Sequence, residues 1–107
     1  PEVTHPTEAD VLFGRCKVCF NHVGNIRFRL VIQSRAREYQ GVTSRRDKSR
    51  IVYSVVQHVQ NYGGRFLKRD NNHDWHVVSL AEAIQKVGHS LRDKKSGFPD
   101  ENPKFGP

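Results

Sequence analysis

The chain has 107 residues, a formal net charge of +7 and only two cysteines. That length makes one domain with a modest core, and Cys16 and Cys19 would close too small a loop to staple a secreted fold, so a reducing compartment is expected. No apolar run approaches the ~20 residues of a membrane span, and the opening PEVTHPTEAD has neither the charged start nor the apolar centre of a signal peptide. An intracellular, nuclear location with no membrane partner is therefore expected.

Residues 1–9 are polar with two prolines, and 96–107, SGFPDENPKFGP, carry three prolines without periodicity; both read as flexible ends around a domain over 10–95. DVLFG could add a short strand or pack Val11, Leu12 and Phe13 onto a core. Asn25 is a candidate cap for a first helix in which Phe28, Val31, Ile32, Ala36 and Tyr39 recur at helical spacing up to Gly41. Ser44 caps a second helix with the stripe Ile51, Val52, Val55, Val56, Val59 and Tyr62, ended by Gly63 and Gly64. RFLKR and WHVVS flank the turn-forming DNNHD and predict a β-hairpin. Ser79 with Glu82 forms a capping box before a third helix buried through Leu80, Ile84, Val87 and Leu91. Phe66, Trp75 and Val77 are expected to complete the core. The pattern predicts a small α+β domain, helix-helix-hairpin-helix, similar in outline to a winged helix.

From Arg27 to Arg69 there are eleven Lys or Arg residues against Glu38 and Asp47 alone, so the positive field belongs to the folded middle. On the second helix Arg46, Arg50, Tyr53, Gln57 and Asn61 lie opposite the apolar stripe, side chains suited to phosphates and base edges. The hairpin contributes Arg65, Lys68 and Arg69 as a basic wing. GRCK and NHVGN make a loop in which Gly14 and Gly24 permit unusual backbone angles and Arg15, Asn21, His22 and Asn25 present polar groups to an anion; the alternative is that these groups bond the loop to its own fold.

Other chemistries find less support. Cys16, Cys19 and His22 have the spacing of half a zinc site, but no fourth ligand follows, so no metal or cofactor is expected. A redox pair is set aside because this C-x-x-C is not expected at the strand-to-helix junction of a βαβ unit. Asn21 and His22 as a nuclease pair would lack a carboxylate cluster for a metal, and no nucleophile elbow is present, so an enzyme is not expected.

Four blocks in order, DVLFGR with NHVGNIRFR, RIVYSVVQHV, GGRFLKRD with its following Trp75, and AIQKVGHSLRD, resemble an uncharacterised domain family abundant in diatoms and other stramenopile algae. The resemblance spans residues 10–93 and implies a compact fold and a lineage rather than an activity. Members usually read Gly-Arg-Gly where this chain has Gly14, Arg15 and Cys16, which makes the C-x-x-C a feature of this chain and not a family metal site.

The resulting expectation is a non-catalytic nucleic-acid-binding domain, for double-stranded DNA rather than RNA, in transcription or chromatin. The alternative is a protein-interaction module whose basic face holds an acidic partner within a larger regulatory protein.

Overall fold

Two serine caps frame the fold. Ser44 Oγ accepts the Asp47 N–H at 3.2 Å and Ser79 Oγ accepts the Glu82 N–H at 3.1 Å, each satisfying a donor that a first helical turn leaves unpaired. The computed structural model describes residues 2–3, 5–14 and 16–93. Among them the order is β1 (Glu2–Val3), β2 (Val11–Leu12), α1 (Lys17–Asn21), α2 (Val23–Gly41), α3 (Arg45–Asn61), β3 (Phe66–Arg69), β4 (Trp75–Val77) and α4 (Leu80–Arg92). The domain is α+β, with the expected helix, helix, hairpin and helix preceded by β1, β2 and the short α1.

The sheet runs β1-β4-β3-β2. β3 and β4 are the antiparallel hairpin, β1 pairs antiparallel with β4, and β2 lies parallel to β3 with Val11 opposite Phe66. Alternation along a strand sends neighbouring side chains to opposite faces. Val11 and Phe66 thus join the main core with Phe28, Ile32, Val55 and Val87 from α2, α3 and α4, while Leu12 and Leu67 meet Val3, Cys19 and Trp75 on the other face. Phe28 and Phe66 meet edge to face at 5.9 Å, locking α2 to the sheet. Most of the expected stripe residues of α2, α3 and α4 are buried, with Val31, Tyr62 and Ile84 partly buried and Leu80 exposed.

Several expectations need correction. β1 falls inside the 1–9 segment read as a flexible end; a two-residue strand paired at the edge of the sheet leaves no periodicity to read. Val77 is exposed although it pairs with the buried Leu67 across the hairpin. α2 starts two residues before Asn25, with His22 in the capping position, and Asn25 is buried. Gly63, at φ 92°, ends α3 as expected, and the Gly64 N–H reaches back to the Val59 carbonyl at 2.9 Å. Residues 94–107, and with them the expected tail over 96–107, lie outside the described residues.

Candidate nucleic-acid interface

A ridge on α3 follows directly from helical spacing. Arg46, Arg50, Tyr53 and Gln57 recur every three or four residues opposite the buried valines, all four are exposed, and they line one shallow hollow with Ser49 and Ser54. Asn61 ends the same ridge in the last turn of α3. Arg50 has only a loose ion pair, 3.9 Å from Asp47, at a position where solvent screens it. Arg35 of α2 borders the ridge, held by Glu38 at 2.9 Å and donating to Ser54 Oγ at 2.9 Å.

The other half of this surface comes from α4. A cleft of about 630 Å³ between α3 and α4 is lined by Arg45, Lys48, His89 and Arg92 together with Tyr39 and Tyr53, and among the described residues no acidic side chain lines it. The two helices run antiparallel here, so the first turn of α3 and the last turn of α4 meet. Lys48 sits over the Tyr39 ring at 4.6 Å. Sequence reasoning missed Arg45, Lys48 and Arg92, because it followed only the ridge opposite the apolar stripe; the run of cations over 45–50 was the available signal. On the far side of α4 a second cleft of about 480 Å³ holds Arg29 and Lys86 beside Asp93. Arg29 stacks on Phe20 at 3.9 Å. Burial pushes the Lys86 ammonium below the usual lysine range, and the Arg29 charge adds to that while a Cys19 thiolate would oppose it.

The loop residues expected to meet an anion are instead bonded to the fold. Asn25 Oδ1 accepts the Leu12 N–H at 2.7 Å and its Nδ2 donates to the Leu12 carbonyl at 2.9 Å, so the amide acts as a strand partner for β2. His22 Nε2 donates to the Thr7 carbonyl at 3.0 Å. Gly24 needs no unusual backbone angle within α2; a Cβ there would overlap the Asp10 carbonyl, so glycine lets helix and β2 segment touch. Asn21 remains exposed at the end of α1, and Arg15 lies outside the described residues.

Arg65 is likewise bonded to the fold, although its side chain is 39 % exposed. Its Nη2 lies 2.7 Å from Asp10 Oδ2 and its Nε donates to Oδ1 at 3.1 Å, while its main-chain N–H donates to Oδ1 at 2.9 Å. Thr7 N–H completes the set at 2.7 Å. Burial pushes the Asp10 carboxyl up, but the Arg65 guanidinium and these backbone N–H groups outweigh it and hold the carboxyl below the usual aspartate range.

The wing is weaker than its sequence suggests. Lys68 and Arg69 are neighbours in β3 and so point to opposite faces of the sheet. Lys68 Nζ pairs with Glu82 at 3.2 Å, and Arg69 leans over its cross-strand neighbour Trp75 at 5.1 Å. Asp70 closes the tip, accepting the Asn72 and Asp74 N–H groups and lying 2.6 Å from His76 Nε2. The wing joins the C-terminal end of α3, whereas the arginines cluster at its N-terminal end; from Glu82 to Arg92 alone the rise along α4 is about 15 Å.

Residues 10–93 match the family described as a domain of unknown function (DUF6824). The chain belongs to this family. No curated protein and no solved structure matches it. The DUF6824 match begins at Asp10 and ends at Asp93, so it takes in the Asp10–Arg65 junction and the α3–α4 cleft together. Among the described residues, no group of three or more His, Cys, Asp or Glu side chains is placed to hold a metal, and no helix is long and apolar enough to cross a membrane.

Proposed function

We propose that this DUF6824 domain binds double-stranded nucleic acid, DNA in preference to RNA, through the N-terminal half of α3 and the C-terminal end of α4, without catalysing a reaction. The observation that carries the reading is the run over 45–50, where Arg45, Arg46, Lys48 and Arg50 face a single carboxylate, Asp47, at the positive end of α3. In the first turn, Arg45 and Arg46 oppose the helix dipole at a cost of roughly 0.3–0.5 kcal/mol each. Phosphates bound across this end would relieve both the dipole and the mutual repulsion, and His89 and Arg92 extend the same field.

In this reading Arg46, Arg50, Tyr53 and Gln57 border a major groove. B-form DNA admits a helix there, whereas the deep, narrow groove of A-form RNA does not. The hairpin is a secondary contact in an outline similar to a winged helix, with Lys68 and Arg69 reaching phosphates only at the far end of α3. The nuclear location and the role in transcription or chromatin follow from this reading alone. Catalysis is not part of it: the His22 ring that a nuclease would need is bonded to Thr7.

Fluorescence anisotropy of a labelled duplex at several salt concentrations tests the reading. Log affinity should fall linearly with log salt, and Arg45→Ala/Arg46→Ala should flatten the slope by about 0.9 for each phosphate the domain no longer neutralises. Absence of binding at low salt would overturn it. Retained binding to an acidic polypeptide with a shallow salt response would favour the protein-interaction module instead.

A further inference from the structure

We propose that Cys16 and Cys19 form a dithiol site that reacts reversibly with small anionic disulfides of the glutathione type. Their position reopens the redox pair that the sequence alone set aside. β2 leads through the Phe13–Gly14 loop into α1, with Cys16 as the residue capping that helix, and β2 lies parallel to β3. The C-x-x-C therefore follows a strand and opens a helix, with α1, α2 and α3 between the two parallel strands.

The two sulfurs are 3.5 Å apart, and a disulfide needs them at ~2.05 Å, a closure within reach of side-chain rotation and a small adjustment of α1. They are unequal partners. Cys16 is exposed, while Cys19 is 2 % exposed and its Sγ lies 3.9 Å from the Phe13 carbonyl, packed with Leu12, Leu67 and Val3. The Cys19 N–H, the Cys19 thiol and the Val18 N–H hold the Cys16 thiol below the ordinary range, with a contribution from Arg69. Burial, followed by the neighbouring Cys16, pushes the Cys19 thiol up. An accessible thiolate in front of a shielded thiol is the order that two-step exchange requires.

The chemistry balances without a cofactor. The Cys16 thiolate attacks one sulfur of the small disulfide, its S–S bond breaks, and one thiolate leaves and takes a proton from solvent. Cys19 then loses its proton to solvent and attacks the Cys16 sulfur, expelling the second thiolate. Two protein thiols are oxidised to one disulfide, and one small disulfide is reduced to two thiols. Substrate class follows from the flanking charges: Arg69 lies on the same face of β3 as Leu67, which packs with Cys19, and Lys86 lines a cleft with Gly14, which abuts the Cys19 sulfur, so a disulfide carrying carboxylates is drawn to the pair.

Intact-mass analysis of the reduced protein after incubation with oxidised glutathione near neutral pH, quenched by alkylation in denaturant, tests this. Wild type should lose two hydrogens and resist alkylation at both cysteines. Cys19→Ser should accumulate the mixed disulfide at Cys16, and Cys16→Ser should react at least ~10-fold more slowly than Cys19→Ser. Cys19→Ala repeats the test without a buried hydroxyl, and circular dichroism checks that each variant is folded. Arg69→Ala should slow the reaction with glutathione disulfide but not with the uncharged hydroxyethyl disulfide. A stable mixed disulfide in wild type, equal rates for the two serine variants, or no reaction at all would overturn the proposal.

Discussion

The Asp10 junction and the N-terminal end of α3 are both rich in charged side chains, yet they are built in opposite ways. At the junction every charge has a partner: Asp10 takes both arms of Arg65 and the Thr7 N–H, and beside it Asn25 holds both main-chain groups of Leu12. At the end of α3, four cations over 45–50 share one carboxylate, and Arg92 adds another positive charge across the cleft. A saturated cluster stabilises the fold and has little left to offer a ligand. An unsaturated one costs stability and keeps a field outside the protein.

The sharpest way to break that comparison is to open the junction. Asp10→Ala should leave two N–H groups without their acceptor and cost ~3 kcal/mol in denaturant titration, the upper end for unsatisfied donors, because the Arg65 guanidinium is 39 % exposed and water can take over its bonds. A loss under ~1 kcal/mol would mean that water replaces the carboxylate there. Asn25→Ala should cost ~1–3 kcal/mol by leaving the Leu12 groups unpaired, and it should leave the salt slope of duplex binding unchanged. A changed slope would return Asn25 to the interface.

Acid sharpens the same point. The folded pKa of Asp10 is depressed, so between it and the unfolded value the unfolded chain binds more protons and stability rises with pH. The contribution is complete above the ordinary aspartate pKa of about 3.9 and is lost as pH falls through the lower folded value. Asp10→Asn should be less stable than wild type above that window, and the difference should shrink as the pH is lowered through it. A difference independent of pH would point to packing, not charge.

The smallest stability effects belong to the other region. Arg45→Ala and Arg46→Ala should each change stability by no more than ~0.5 kcal/mol, with gain the expected direction because a charge is removed from the positive helix end. Their effect should appear in duplex binding. Reduced stability with duplex binding intact would invert the comparison.

Legibility followed the range of the interaction. Ser44, Ser79, the valine stripe of α3 and the DNNHD turn act within a few residues of themselves, so local pattern suffices to place α3, the hairpin and α4. The ridge from Arg46 to Gln57 was legible for the same reason, being one face of one helix. The partners of Asn25 and Arg65 were not legible because Leu12 and Asp10, 13 and 55 residues away, claim their polar groups. Nor could any periodicity show that a two-residue β2 would lie parallel to β3 and bring Cys16 to the start of a helix.

The sequence by itself determined the α+β class, the order and caps of the longer elements, and the placement of positive charge in the middle of the chain. Tertiary structure alone decided which of those charges meet a carboxylate. Chain reversal sets Lys68 against Glu82 and Arg65 against Asp10, while it carries Arg92 to Arg45 and Lys48 with no acid among the described residues lining their cleft. Charge is a property of residues, but its compensation depends on distances of a few ångströms between segments that only folding brings together.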